Sequence, residues 1–485
     1  MGVEGLDNVL GGGLPRHRLY LIQGDPGVGK TTLAMQFLIE GARTGEAGLY
    51  ITLSETKDEI DNVAKSHGWD LSNIHLYELS AIEEQIRGES ESTFFHPSEV
   101  ELNRTTDALI AEVERVKPAR VVFDSLSELR MLAETPLRYR RQILQLKQFF
   151  AGRKCTVLLL DDRTSGTHDL QVESIAHGVI SLQRESPDYG ISRRQLNVVK
   201  IRGSHFREGN HDLILRRGGM VVFPRLVAGE HHRPFQRESF PSGIPALDAL
   251  LGGGLDRGTS AMLMGPPGTG KSTVAMKYAL AAAERGEKAL LFIFDETIGT
   301  FIDRASQLGM DLAPHIESGL LTVDQIDPAE ISPGELASRI QHAVAVDGTR
   351  MIVIDSINGY LNAMPAESYL TLQLHELLAY LNQQGVITIM VLAQQGVVGL
   401  MQSTVDLTYL ADTVVLMRYY EIRGEVKQAL SVIKKRSGNH ERTIREMRVG
   451  NKGIWVGEPL RELQGILTGI PNVFSSAGTA PSAPR

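Results

Sequence analysis

Gly2, Leu6, Asp7, Leu10 and the run Gly11-Gly12-Gly13-Leu14 recur as Gly243, Leu247, Asp248, Leu251 and Gly252-Gly253-Gly254-Leu255, a constant shift of 241 positions (243 minus 2). The same shift carries Gly24 to Gly265, Lys30 to Lys271, Glu55-Thr56 to Glu296-Thr297 and Asp70-Leu71 to Asp311-Leu312. A register held from Gly2 to Leu71 marks a duplicated domain rather than a short solenoid unit, and each copy has to bury a core of its own. The 485 residues suffice for two such cores, since a single core stops growing near ~250–300 residues. Further along, Asp124 matches Asp355 and the shift falls to 231, so the first half holds ten more residues (241 minus 231) before its second acidic strand. The polar stretch from Arg87 to Phe95 is where they are expected.

The expected domains are 1–225 and 240–462, joined over 226–239 by a linker rich in His, Arg and Pro. The remainder, 463–485, closes on Ser475-Ser476-Ala477-Gly478-Thr479-Ala480-Pro481 and reads as a flexible tail with little to bury. Within each copy short apolar runs alternate with amphipathic stretches: Leu19 to Gln23 before a helix from Lys30, Leu49 to Leu53 before a helix from Lys57, then Val121 to Asp124. That βαβ series predicts an α/β fold with a mainly parallel sheet flanked by helices, and ligands at the carboxyl ends of the strands.

The first and third of these strands end in the residues that carry chemistry. Gly24-Asp25-Pro26-Gly27-Val28-Gly29-Lys30-Thr31 and Gly265-Pro266-Pro267-Gly268-Thr269-Gly270-Lys271-Ser272 both fit GxxxxGK[ST], with Thr32 and Thr273 next in the helix. The glycines let successive amides turn inward around a phosphate, and the following helix adds its positive end. Lys30 and Lys271 are expected on the β- and γ-phosphates of ATP, and the Thr31 and Ser272 hydroxyls on magnesium. A glycine-rich turn without ligand is the plain alternative, but it would have to arise twice in register. Asp124 and Asp355 close apolar strands and suit magnesium and its bound water; capping a turn is their structural alternative. Glu55, in Ser54-Glu55-Thr56, and Asp295-Glu296 end the second strand and are candidates for handling the attacking water or hydroxyl.

Composition removes other classes. A net charge of -8 gives no overall attraction to nucleic acid or anionic lipid. Cys155 is the one cysteine, so intrachain disulfides and multi-cysteine zinc sites are excluded. No apolar run approaches the roughly eighteen residues of a membrane helix and the start lacks a secretory pattern, which together point to the cytoplasm.

On these residues the chain resembles the KaiC family of circadian-clock ATPases and autokinases, within the RecA superfamily. The resemblance covers almost the whole length and adds Lys200-Ile201-Arg202-Gly203 in the first half, and Tyr420-Glu421-Ile422-Arg423-Gly424-Glu425 with Lys434-Lys435-Arg436 in the second. It implies two RecA-like P-loop domains in a homo-hexameric double ring, with ATP between subunits and in-trans basic residues matched here by Lys200, Arg202, Lys434 and Arg436. It implies that the second domain phosphorylates two adjacent hydroxyls, matched by Thr408 and Tyr409, with Ser403 at a nearby threonine position and Asp295-Glu296 acting on the incoming hydroxyl. Tyr409 departs from the family's Ser-Thr pair, and its ring carries the oxygen too far out for the same transfer geometry. Glu173-Ser174 take those places in the first half, where hydrolysis alone is expected. Glu462 to Gly469 resembles the family's regulatory loop, where a kinase-promoting partner docks; a KaiB-like protein or a histidine-kinase signalling protein is a further partner the resemblance implies.

Two other readings remain. A RecA- or RadA-like nucleic-acid motor would line a channel with cations such as Arg193, Arg194, Lys200, Arg442 and Arg445, against which the acidic balance weighs. A nucleotide-sensing scaffold with negligible turnover is the non-enzymatic reading, and intact Glu55 and Glu296 speak against it.

Overall fold

The apolar runs become the inner strands of two sheets built to one plan. The computed structural model describes residues 1–79, 97–162, 170–187, 190–362, 369–394, 407–466 and 472–473, and the chain divides into two units, Met1–Arg225 and Leu226–Arg485. In the first, β1 (Leu19–Gly24), β2 (Gly48–Thr52), β3 (Ile74–Glu78), β4 (Arg120–Asp124), β5 (Thr156–Asp162), β6 (Gly178–Glu185), β7 (Arg193–Ile201), β8 (Asn210–Arg216) and β9 (Gly219–Phe223) form one sheet in the order β3-β2-β4-β5-β1-β6-β7-β8-β9. Strands β1 to β6 pair in parallel. The last three extend the edge antiparallel, a meander that the βαβ reading did not anticipate.

Parallel strands are covered on both faces, so nearly every position has to be apolar. Tyr20 and Ile22 of β1 pack with Leu33 and Phe37 of the helix Lys30–Arg43, while Leu19 and Leu21 point the other way onto Leu126, Ile143 and Leu146. Each such fully buried aliphatic side chain stabilises the fold by about 1.5–3 kcal/mol.

The second unit repeats this design. A short ribbon of β10 (Ser239–Phe240) and β11 (Leu255–Asp256) precedes β12 (Ser260–Gly265), β13 (Ala289–Ile293), β14 (Leu321–Gln325), β15 (Met351–Asp355), β16 (Ile387–Ala393), β17 (Thr413–Ile422), β18 (Glu425–Lys435), β19 (Ile444–Gly450) and β20 (Gly453–Pro459). Their order, β14-β13-β15-β16-β12-β17-β18-β19-β20, is that of the first sheet. Met262 faces one core with Leu374, Leu378 and Leu381, and Ala261 and Leu263 the other with Val274 and Tyr278.

The ten-residue difference between the halves resolves into two of opposite sign, six and sixteen residues. Ile74 and Leu321 take matching places beside β2 and β13, a shift of 247 (321 minus 74), because the second unit inserts the short helix Ala313–Glu317. Arg120 and Met351 then match at 231, so the first unit holds sixteen more residues (247 minus 231) between β3 and β4. Arg87 to Phe95 falls within that stretch but outside the described residues.

Of the segment 226–239, Ala228 is buried in a core of the second unit with Leu226 packed against it. The chain is also built beyond 462: Leu463 and Gln464 pair with Val473 and Asn472, and Ile466 is buried against Tyr420 and Ala429. Among the described residues no helix is long and apolar enough to cross a membrane.

Candidate active sites

Each P-loop leaves the carboxyl end of the middle strand, where β1 or β12 is flanked by two parallel neighbours. The turn depends on glycine. Gly29 and Gly270 begin the helices at φ 105° and 91°, a region closed to most side chains. At Gly24 and Gly265 a Cβ would stand 2.3 Å from the Leu182 carbonyl oxygen and 2.0 Å from that of Met417.

In the first unit Lys30 is buried, and its Nζ donates to the carbonyls of Gly24 at 2.8 Å and Asp25 at 3.0 Å. It also forms an ion pair of 2.6 Å with Asp162 Oδ1 at the end of β5. The Thr31 hydroxyl donates to Asp124 Oδ2 at 3.0 Å, and the Tyr50 hydroxyl to the same oxygen at 2.5 Å. Burial pushes the Asp124 carboxyl up, against the Tyr50 and Thr31 hydrogen bonds and the Lys30 charge, which pull it down. Glu55 is half-buried, and its Oε2 has no hydrogen-bond partner among the described residues. Burial raises its pKa, and the charges of Asp124, Glu59 and Asp162 raise it further. Thr56 caps the helix Lys57–His67 in a reciprocal box with Glu59, which fixes the turn carrying Glu55.

The second unit assembles the same parts with different partners. Lys271 is buried and donates to the Pro266 carbonyl at 2.7 Å; burial pulls its pKa down to about 8, with the Asp355 charge opposing. Asp355 is pushed up by burial and pulled down by the Ser272 hydroxyl and Arg304. Glu296 is ion-paired with Arg304, and Asp295 Oδ2 accepts from Ser356 Oγ at 2.7 Å. The peptides Asp124-Ser125 and Asp355-Ser356 are both cis. Matching through the 241 shift puts Val63 where Arg304 stands and Leu291 where Tyr50 stands, so the partner of the glutamate and the partner of the strand-end aspartate both differ between the sites.

The basic residues lie elsewhere. Lys200 pairs with Val179 on the neighbouring strand and Ile201 with Gly178, which in turn lies beside Tyr20, the start of β1. Lys434 pairs with Val414, and Thr413 lies beside Ala261 at the start of β12. The P-loops follow Gly24 and Gly265, four residues on (24 minus 20), or about 13 Å along a strand. Lys200 donates to the Glu173 carbonyl and Arg202 to that of Ser174 at 2.8 Å; Lys434 donates to Thr408 at 2.9 Å and Arg436 to Tyr409 at 2.8 Å. Thr408 and Tyr409 therefore sit with the cations, and Tyr409 is exposed. Ser403 lies outside the described residues.

Asp162, Tyr50 and Arg304 were missed in the sequence. The doublet Asp161-Asp162 closing an apolar strand was a usable signal, while Tyr50 and Arg304 looked like ordinary strand and helix residues.

Two mainly parallel sheets, each with a P-loop and a hydroxyl–carboxylate pair at the end of its strands, define a tandem RecA-like P-loop ATPase. The family model described as "ATPase: KaiC" matches residues 1–227 and again 240–461, and the chain belongs to this KaiC family. It is 26% identical over 491 residues to the circadian clock oscillator protein KaiC of Parathermosynechococcus lividus, spanning 97% of this chain and 87% of that one. It is 27% identical to the circadian clock protein KaiC2 of Synechocystis sp., over 97% of this chain and 83% of the relative. With KaiC3 of the same organism it shares 25% identity, over 97% and 94%.

Proposed function

We propose that the chain is a magnesium-dependent ATPase working as a homo-hexamer, each ATP lying between the P-loop of one subunit and basic residues of the next, and that its second domain phosphorylates its own hydroxyls. The observation that carries this reading is the position of Lys200, Arg202, Lys434 and Arg436 at the far end of the P-loop strand from their own unit's phosphate loop. Charge developing on a γ-phosphate calls for a cation. These four reach it from a neighbouring copy and not from their own. ATP held at such a boundary links assembly to nucleotide by mass action, so stripping nucleotide dissociates the ring.

Thr31 with Asp124, and Ser272 with Asp355, offer the hard oxygen donors that suit magnesium. When bound there, the ion neutralises phosphate oxygens. Lys30 and Lys271 hold the β- and γ-phosphates. Glu55 accepts a proton from water in the first site, and Asp295 and Glu296 act on water or an incoming hydroxyl in the second. Thr408 and Tyr409 share their end of the sheet with Lys434 and Arg436, so a neighbour's nucleotide meets acceptor and cation together. Ring states of this kind suit readout by a KaiB-like or histidine-kinase partner.

The test is to incubate the protein with magnesium and ATP beside a Lys271→Ala control and to map phosphopeptides from Met401 to Met417 by mass spectrometry. Phosphate on Thr408 or Ser403 that vanishes in the control supports the autokinase. ATP consumed with no phosphate incorporated removes it and leaves a tandem ATPase.

A further inference from the structure

The end of β5 carries two carboxylates with separate tasks. Asp161 is turned to Arg130 at 2.6 Å. Asp162 faces the P-loop: its Oδ1 is 2.6 Å from Lys30 Nζ, and its Oδ2 accepts from Ser127 Oγ at 3.4 Å. An ammonium has three donors, and with the carbonyls of Gly24 and Asp25 all three on Lys30 are engaged inside its own unit. The pair is withdrawn from solvent, with the Lys30 side chain 8% exposed and that of Asp162 27%.

The second unit lacks this carboxylate. The register of β5 on β1 sets Asp162 beside Gly24, and that of β16 on β12 sets Ala393 beside Gly265. A methyl group therefore stands where the first unit has an anion. Lys271 donates to the Pro266 carbonyl, and among the described residues no carboxylate forms an ion pair with it.

We propose that Asp162 is a specificity-determining residue of the first nucleotide site, an internal anion that occupies Lys30 until a phosphate displaces it, so that the two sites of one chain bind ATP with different strength. The proposal rests on the reading of the first P-loop as an ATP site. ATP entering the first site exchanges one anion for another on the lysine; ATP entering the second adds an anion to a lysine that, among the described residues, forms an ion pair with no carboxylate. The displaced carboxylate stays beside Asp124 and Glu55, and like charge confined with the γ-phosphate is unfavourable. The effect is larger for a triphosphate than for a diphosphate, because the lysine spans the β- and γ-phosphates.

The experiment uses the full chain carrying Lys271→Ala, so that the first site alone is titrated, with magnesium and either the non-hydrolysable analogue AMPPNP or ADP. Asp162→Ala, which copies Ala393, and Asp162→Asn are expected to tighten AMPPNP binding about tenfold, or ~1.4 kcal/mol, and ADP binding less. Asp162→Glu keeps the charge and is expected to stay within about twofold of the parent. Without nucleotide, Asp162→Ala melts lower than the parent while its AMPPNP-induced rise in Tm is larger; a purely structural ion pair would diminish both. AMPPNP binding unchanged or weaker in both neutral variants overturns the proposal. Should they fail to fold, Ala393→Asp in a Lys30→Ala chain carries the reverse expectation, binding about tenfold weaker at the second site, and an unchanged affinity overturns it equally. A parent first site that binds neither nucleotide overturns the ATP-site reading along with the proposal.

Discussion

Arg436 donates to the carbonyl of Tyr409 at 2.8 Å, and Arg202 donates to the carbonyl of Ser174 at the same distance. Lys434 and Lys200 repeat the arrangement one residue earlier, on Thr408 and Glu173. In both units the strand carrying the cations slips register by one near this point, between Val414 and Val415 or between Val179 and Ile180. A bulge of this kind re-aims the side chains that follow it. Lys434 and Arg436 are thus tied by hydrogen bonds to the backbone of the segment bearing Thr408 and Tyr409.

If the cations act across a subunit boundary, Arg202→Ala lowers first-ring hydrolysis by ~100-fold or more, with Tm nearly unchanged. Mixing it with Lys30→Ala chains is the sharper measurement. Some boundaries of the mixed ring then pair an intact P-loop with an intact arginine, and activity returns. Mixed rings as inactive as either parent would place the arginine's action within its own chain.

The two glutamates stand in unequal surroundings. Glu55 has a raised pKa and a carboxylate oxygen without a hydrogen-bond partner among the described residues, whereas Glu296 is ion-paired with Arg304. Glu55→Gln is expected to cut first-site hydrolysis by ~10²–10⁴-fold. Arg304→Val, which copies Val63, releases the Glu296 carboxylate from its ion pair and is expected to raise second-site hydrolysis up to about tenfold, because the carboxylate is then free to turn to the attacking group. Turnover in single-site chains measures both, and a fall in the Arg304→Val chain would show that Arg304 itself serves the reaction.

Asp124 links the nucleotide site to stability. Its folded pKa is raised above the ordinary aspartate value, chiefly by burial. A carboxylate raised on folding costs stability once ionised, and the cost disappears as pH falls through the raised folded pKa toward the unfolded value near ~4. Asp124→Asn is therefore expected to be more stable than the parent at pH 8 without nucleotide or magnesium, by ~1 kcal/mol, and the gap closes on acidification. Urea melts of both chains across that range check it. A gap independent of pH would mean that burial of Asp124 is not its source.

What the chain reveals before folding is what lies close together along it. The P-loops, the strand-end Asp124 and Asp355, and the Glu55 and Glu296 turns are local patterns, and duplication doubles each signal. What was hidden depends on which strands become neighbours. Tyr50 reaches Asp124 because β2 lies beside β4, and Asp162 reaches Lys30 because β5 lies beside β1. Neither adjacency follows from sequence order. Likewise two unequal insertions of opposite sign left only their difference in the register, so the helix Ala313–Glu317 passed unseen.

The second P-loop lysine sets a pH dependence of nucleotide binding. Burial draws Lys271 down to about 8, so that near this pH it is half-protonated before nucleotide binds, while phosphate contact favours its charged form. ATP binding there is then coupled to proton uptake. Affinity is nearly constant below pH 7 and falls as pH rises above 8, approaching tenfold per unit, or ~1.4 kcal/mol. The dependence ends where the lysine of the complex itself deprotonates. Titration calorimetry of AMPPNP into a Lys30→Ala chain at pH 8, in two buffers of different ionisation enthalpy, measures the uptake directly. About half a proton per site is expected from a lysine half-titrated at that pH. Equal heats in the two buffers would mean that Lys271 is fully charged before the nucleotide arrives, and that a polar neighbour offsets its burial.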